Sequence, residues 1–152
     1  MRKINWKIAI AAGLAGTVLF DITGLILSGQ WWDIAAILGE QTGLGMAYGV
    51  AGHFGNGILL AVLYAGIAPS IFGPTWLRPF IFITVQTIVL VWMFMFPLLG
   101  AGIAGLNVGP EMAIGSMLRH WVYVIPFVFL INKDIFGKTI ETKPGSAELV
   151  AH

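Results

Sequence analysis

Apolar residues run through this chain in four long blocks, separated by short segments where tryptophan, proline, glycine and charge collect. Crossing the hydrocarbon of a bilayer takes about 20 predominantly apolar residues in a helix. Each block meets that length, so the pattern predicts four spans, at residues 8–28, 44–67, 80–99 and 112–131. The first begins after Met1, Arg2 and Lys3 and could be mistaken for a signal peptide. A secretory apolar core is only about 7–15 residues long, so we read a retained span. Its interior carries Asp21 and a few hydroxyls.

The connections have their own signals. Trp31 and Trp32 suit the boundary between hydrocarbon and headgroups, and residues 34–38 are expected to form a short interfacial helix. The turn over residues 68–79 is rich in proline, with Trp76 and Arg78 as interface anchors; most of the six tryptophans fall at such boundaries. Residues 100–110 are glycine-rich yet apolar, and are expected to pack on the bundle or dip into the bilayer. Pro110 and Glu111 make a helix start, with proline in the first turn and an acid at the positive end of the dipole. Pro97 and Pro126 are expected to bend or end their helices. The tail at residues 133–152 is polar and aperiodic and reads as disordered.

Composition agrees with the pattern. Of 152 residues, 58% are hydrophobic and 10% charged, and the mean hydropathy is +0.89. A soluble domain would carry more than twice that charge density. The expected fold class is all-α, an integral membrane four-helix bundle whose first partner is the lipid bilayer. A net charge of +1 argues for no nucleic-acid partner. The absence of cysteine excludes disulfides, Fe–S clusters, thiolate metal sites and cysteine catalysis. No P-loop, dinucleotide fingerprint or nucleophile elbow occurs, and no catalytic residue is expected. Arg2, Lys3, Lys7, Arg78, Lys133, Lys138 and Lys143 fall on one side of a four-span arrangement, leaving only Arg119, inside the fourth span. By the positive-inside rule both termini are cytoplasmic.

Candidate chemistry lies in the polar residues inside the spans. Residues three, four and seven apart share a helix face. Thr17, Asp21, Gly24 and Ser28 therefore form one stripe, Gly49, His53, Asn56 and Gly57 a second, and Ser116, Arg119, His120 and Tyr123 a third. Lipid offers these groups no partner, so all three stripes are expected to point inward. Counting helical rise from the outer ends puts Asp21, His53 and His120 about 10–14 Å below the boundary. Gln86 is the strongly polar side chain of the third span. In a structural reading, Asp21 pairs with Arg119 and the histidines bond to Thr17, Asn56, Ser116 or a carbonyl, holding the helices in register. Three functional readings compete with it. His53 and His120 are candidate axial ligands of a b-type haem, with Gly49, Gly52 and Gly57 making room for the macrocycle. Asp21, His53 and His120 are a candidate site for a single metal ion. Asp21, His53 and His120, with Gln86 and Tyr123 nearby, are a candidate transport or proton path.

Residues 52–57, Gly-His-Phe-Gly-Asn-Gly, resemble a motif of a family of uncharacterised small four-span bacterial integral membrane proteins. The exit of the third span at residues 96–105 and the Arg119, His120, Trp121, Tyr123 step of the fourth resemble it too. The likeness covers about residues 44–123 and implies a four-helix membrane fold in the bacterial inner membrane, with no activity attached. In that family one histidine sits on the second span and one on the fourth; His53 and His120 are the matching positions. The expected function is a non-catalytic accessory or structural subunit, assembled with other membrane subunits or as a homo-oligomer. The alternative is a haem- or metal-binding redox protein, and a small transporter comes third.

Overall fold

The first long helix, α1 (Trp6–Ser28), starts where Asn5 caps it, its side chain accepting the Ile8 N–H at 3.4 Å, and ends at Gly29 in the left-handed conformation. The computed structural model describes residues 4–137, and among them all regular structure is helical. A ten-residue helix, α2 (Asp33–Thr42), follows α1. Next comes α3 (Gly45–Ile67), continued by a 3₁₀ turn over Ala68–Ser70. Two more long helices complete the chain, α4 (Arg78–Leu98) and α5 (Pro110–Phe136). With that turn included in α3, α1, α3, α4 and α5 are all long and apolar enough to cross a membrane.

Neither α4 nor α5 is a regular α-helix throughout. A π-helical stretch fills Thr87–Met95 of α4, just before Pro97, and a second fills Phe127–Ile131 of α5, just after Pro126. Proline removes a backbone donor, and a widened turn is one way to re-satisfy the carbonyls it leaves. Helix α2 is longer than the predicted residues 34–38. Likewise α5 runs past 131, because Ile135 is buried at 6% exposure among core residues. The expected disorder of 138–152, with Arg2, Lys3, Lys138 and Lys143, lies outside the described residues.

Helix α1 sits between α3 and α5, with α4 against the far side of α5 and α2 packed on α3. Small residues set the close approaches. A side chain at Gly13 would meet the Ile58 backbone at 2.8 Å, and one at Gly57 would overlap the Thr17 hydroxyl. Gly16 abuts the carbonyl of Tyr123, and Gly49 the carbonyl of Ala35. Around these crossings Phe20, Tyr64, Phe82, Ile83, Tyr123 and Phe127 fill the core.

The two ends of the molecule differ in charge. At one end Asn5 reaches Asp134 at 3.4 Å, Tyr64 donates to Asn132 at 2.5 Å, and Arg78 donates to the Ala68 carbonyl at 3.1 Å and covers the Phe136 ring. Lys7, Arg78 and Lys133 belong to this end. The opposite end carries Asp33, Glu40 and Glu111, with the turn at 99–109 presenting Ile103, Leu106 and Val108 to the outside.

Candidate functional site

Four helices contribute to one buried cluster of charge. Asp21 comes from α1, Asp33 from the first turn of α2, His53 from α3 and Arg119 from α5. His53 Nε2 lies 2.9 Å from Asp21 Oδ1. The two side chains therefore share one hydrogen bond between Nε2 and Oδ1. Arg119 forms a two-pronged pair with Asp33, Nη1 to Oδ2 at 2.5 Å and Nη2 to Oδ1 at 2.8 Å. Its Nη2 is also 4.0 Å from Asp21 Oδ1. Asp21 is 2% exposed, His53 8% and Arg119 9%. Charges this deep persist only when they neutralise and hydrogen-bond one another.

The local sequence explains the fit. Gly24, one turn beyond Asp21, has no side chain to occupy the space the guanidinium takes. Phe20, one residue before Asp21, lies flat under it, with the Arg119 guanidinium carbon 4.2 Å from the ring centroid, a geometry favourable for a cation over a π face. Asp33 stands at the start of α2, where the helix dipole favours an anion, and it also accepts the Ile34 N–H at 2.7 Å. Burial alone would raise the Asp33 carboxyl, yet the hydrogen bonds and charge of Arg119 and the Ile34 N–H hold it below the ordinary 3.8.

Several expected placements are met and others corrected. Thr17, Asp21 and Gly24 face inward as the spacing predicts, with Thr17 donating to the Gly13 carbonyl at 2.9 Å. Tyr123 is buried and donates to the Gly57 carbonyl at 2.5 Å. Asp21 does not take Arg119 as its hydrogen-bond partner: Asp33 takes both guanidinium prongs, and Asp21 takes His53. Asn56 does not point inward with His53; it is exposed, and its side chain makes no hydrogen bond among the described residues. Gln86 is partly buried, with its carbonyl oxygen unpartnered, as are the Thr87 hydroxyl, Asp21 Oδ2 and Arg119 Nε.

His120 belongs to different surroundings. Its Nδ1 donates to the Ser116 carbonyl at 2.7 Å within the same helix. The Phe20 ring packs against both histidines, 5.6 Å from His53 and 5.0 Å from His120 between centroids. A phenyl ring thus lies where a macrocycle held by two axial imidazoles would go. Gly49 and Gly57 do not leave room for one either, since Ala35 and Thr17 fill the space beside them. The residues do not fit a haem ligated by His53 and His120. For a single metal ion the geometry is no better: among the described residues no three His, Cys, Asp or Glu side chains gather as a metal-holding group. Asp21 and His53 meet; His120 stands apart from them, across Phe20.

Asp33 is the member of the cluster that sequence reasoning passes over, because it sits beside Trp31 and Trp32 in a connection. One signal was available: a buried guanidinium needs a carboxylate near it, and α2 offers Asp33 at that end of the helices. The α4–α5 contact also escaped the pattern. It is joined by two indoles, Trp92 donating to Ser116 at 2.8 Å and Trp121 to Thr84 at 2.9 Å. Comparison of the chain with protein-family models, curated proteins and solved structures finds no match.

Proposed function

We propose that this chain is a multi-pass protein of the bacterial inner membrane, with both termini cytoplasmic, that serves as a non-catalytic accessory or structural subunit of a membrane assembly. One observation carries the reading. Three ionisable residues inside the long helices, Asp21, His53 and Arg119, are spent on one another and on Asp33 of α2, across four helices, while His120 bonds a carbonyl of its own helix. Such a cluster fixes the relative positions of α1, α2, α3 and α5. Placement in the membrane is supported by the four apolar helices. The cytoplasmic assignment of the termini is supported by Lys7, Arg78 and Lys133 sharing one end of the molecule. The resemblance to small four-span bacterial proteins supports the same reading on its motifs alone.

The test is an ultraviolet–visible spectrum with metal analysis on protein purified from cells supplied with haem and metals. A colourless, metal-free protein is expected, and His53→Ala is expected to lower its melting temperature without changing any spectrum. A Soret band that shifts on reduction and disappears in His53→Ala or His120→Ala would overturn this reading in favour of a membrane cytochrome.

A second reading, a proton-coupled transporter or proton conductor, is favoured by Asp21 Oδ2 and Arg119 Nε, two buried polar atoms without partners. Proton flux into liposomes that depends on Asp21 or His53 would select it. Its absence in the wild-type protein would remove it.

A further inference from the structure

The inward face of α3 is accounted for by His53, Gly57 and their neighbours; its outward face is not. Tyr48, Gly52, Asn56, Leu59, Leu63 and Gly66 follow one another at helical spacing along that face. Tyr48, Leu59 and Leu63 are 47%, 68% and 52% exposed, and Asn56 is exposed among them. Asn56 is the central residue of the 23-residue helix, about 16 Å from either end at 1.5 Å per residue. With α3 crossing a membrane, that is the middle of the hydrocarbon, where a carboxamide has neither water nor, among the described residues, any hydrogen-bond partner. Nothing else among the described residues explains a residue so unsuited to lipid at that position.

We propose that this face is the contact between two copies of the chain, with Asn56 meeting Asn56 across a two-fold axis. Three observations select a second copy as the occupant. A carboxamide both donates and accepts, so it satisfies itself when a two-fold axis brings it to its own mate. An axis normal to the membrane keeps every residue at its own depth, so the central residue of one α3 faces the central residue of the other. Gly52 has only the tip of Leu38 near it, at 4.0 Å, and Gly55 has nothing within 4 Å. Two backbones can therefore approach closely beside Asn56, as small residues allow between membrane helices. No Asp, Glu, Lys or Arg lies in α3, so pairing the helix with itself brings no like charges together. The inference rests on α3 being a membrane span, and it deepens the assembly reading by naming the partner.

The chain has no cysteine, so single cysteines report on the face directly. Leu59→Cys and Leu63→Cys keep Asn56 in place, while Leu90→Cys on α4, 48% exposed, marks a different outward face. Oxidation with copper phenanthroline in native membranes is expected to give a disulfide-linked dimer from Leu59→Cys or Leu63→Cys and none from Leu90→Cys. Adding Asn56→Leu should weaken dimerisation about threefold to thirtyfold, the loss expected for one polar contact between membrane helices, and Asn56→Gln should retain part of it. Only monomer at both α3 positions, or equal crosslinking at Leu90→Cys, would overturn the proposal. A crosslink to a different protein would overturn the second copy as occupant. Alkaline carbonate extraction, run in parallel, separates the two levels: release of the chain from membranes would sink the span reading itself.

Discussion

Arg119 is a single cation held by two carboxylates and a phenyl face at 9% exposure, and its removal leaves Asp21 and Asp33 without their counter-charge. Breaking one side of a buried pair costs about 3–5 kcal/mol, so Arg119→Met is expected to lose that much stability in detergent. Asp33→Asn keeps the shape and one acceptor and should cost less, about 1–3 kcal/mol, in the range of a charged hydrogen bond. Little or no loss in Asp33→Asn beside a full loss in Arg119→Met, read from unfolding midpoints, would mean that Asp21 and not Asp33 is the main partner. Asp33 also predicts a pH dependence. Its folded carboxyl is held below the ordinary 3.8, so the unfolded chain binds its proton first as pH falls. The stability this supplies is present above the ordinary value and is lost as pH drops through the depressed folded one. Acid melting curves should steepen below about pH 4 in the wild type and lose that component in Asp33→Asn. Asp21, His53 and Arg119 were legible in the sequence as buried polar residues at helical spacing. Their pairing was not, because Arg119 lies within reach of both acids, and only the position of α2 decides which one it grips.

At the scale of helices, the glycines divide into those that touch another element and those that do not. Gly57 faces the Thr17 hydroxyl and Gly16 faces the Tyr123 carbonyl, with no space for even one carbon. Forcing a side chain into a packed contact costs about 1–3 kcal/mol. Gly57→Val and Gly16→Val should each destabilise by at least that range, because backbone or a short hydroxyl must move. Gly115 has nothing within 4 Å, so Gly115→Ala should be neutral or stabilise by about 0.5–1 kcal/mol through helix propensity alone. Thermal melts of these three variants check the division, and a Gly115→Ala loss as large as that of Gly57→Val would contradict it. Sequence spacing put Gly24 of α1 and Gly49 and Gly57 of α3 on inward faces, and all three are buried. It put Asn56 inward with them, because a seven-residue step from Gly49 falls short of a full second turn by about 20°. Gly49 marks only the edge of the buried face, whose centre lies toward His53, Gly57 and Tyr64, about 60–100° round the helix from Asn56, and this leaves Asn56 on the open side.

For the whole molecule, the end bearing Lys7, Arg78 and Lys133 is expected to face the cytoplasm. Single cysteines at Gly43 and Val108, in turns at the opposite end, should react with a membrane-impermeant maleimide in intact cells. One at Phe72, 78% exposed in the turn before α4, should react only after permeabilisation. The reverse pattern would invert the topology and with it the depth assigned to the Asp21–His53 pair.

The amino-acid sequence by itself determined that this chain makes four long apolar helices and roughly where each lies, though the last runs on to Phe136. Those properties follow from local hydropathy, proline and glycine, which each segment carries alone. It also determined that Asp21, His53 and Arg119 would need partners, because burying an ionisable group costs free energy wherever the helix goes. Which groups became those partners was decided only by the tertiary structure. Contacts between α1, α2, α3 and α5 depend on how closely their small residues let the backbones approach, a property of pairs of helices. That packing joined His53 to Asp21, set Phe20 against both histidines, turned α2 so that Asp33 meets Arg119, and left Asn56 facing outward.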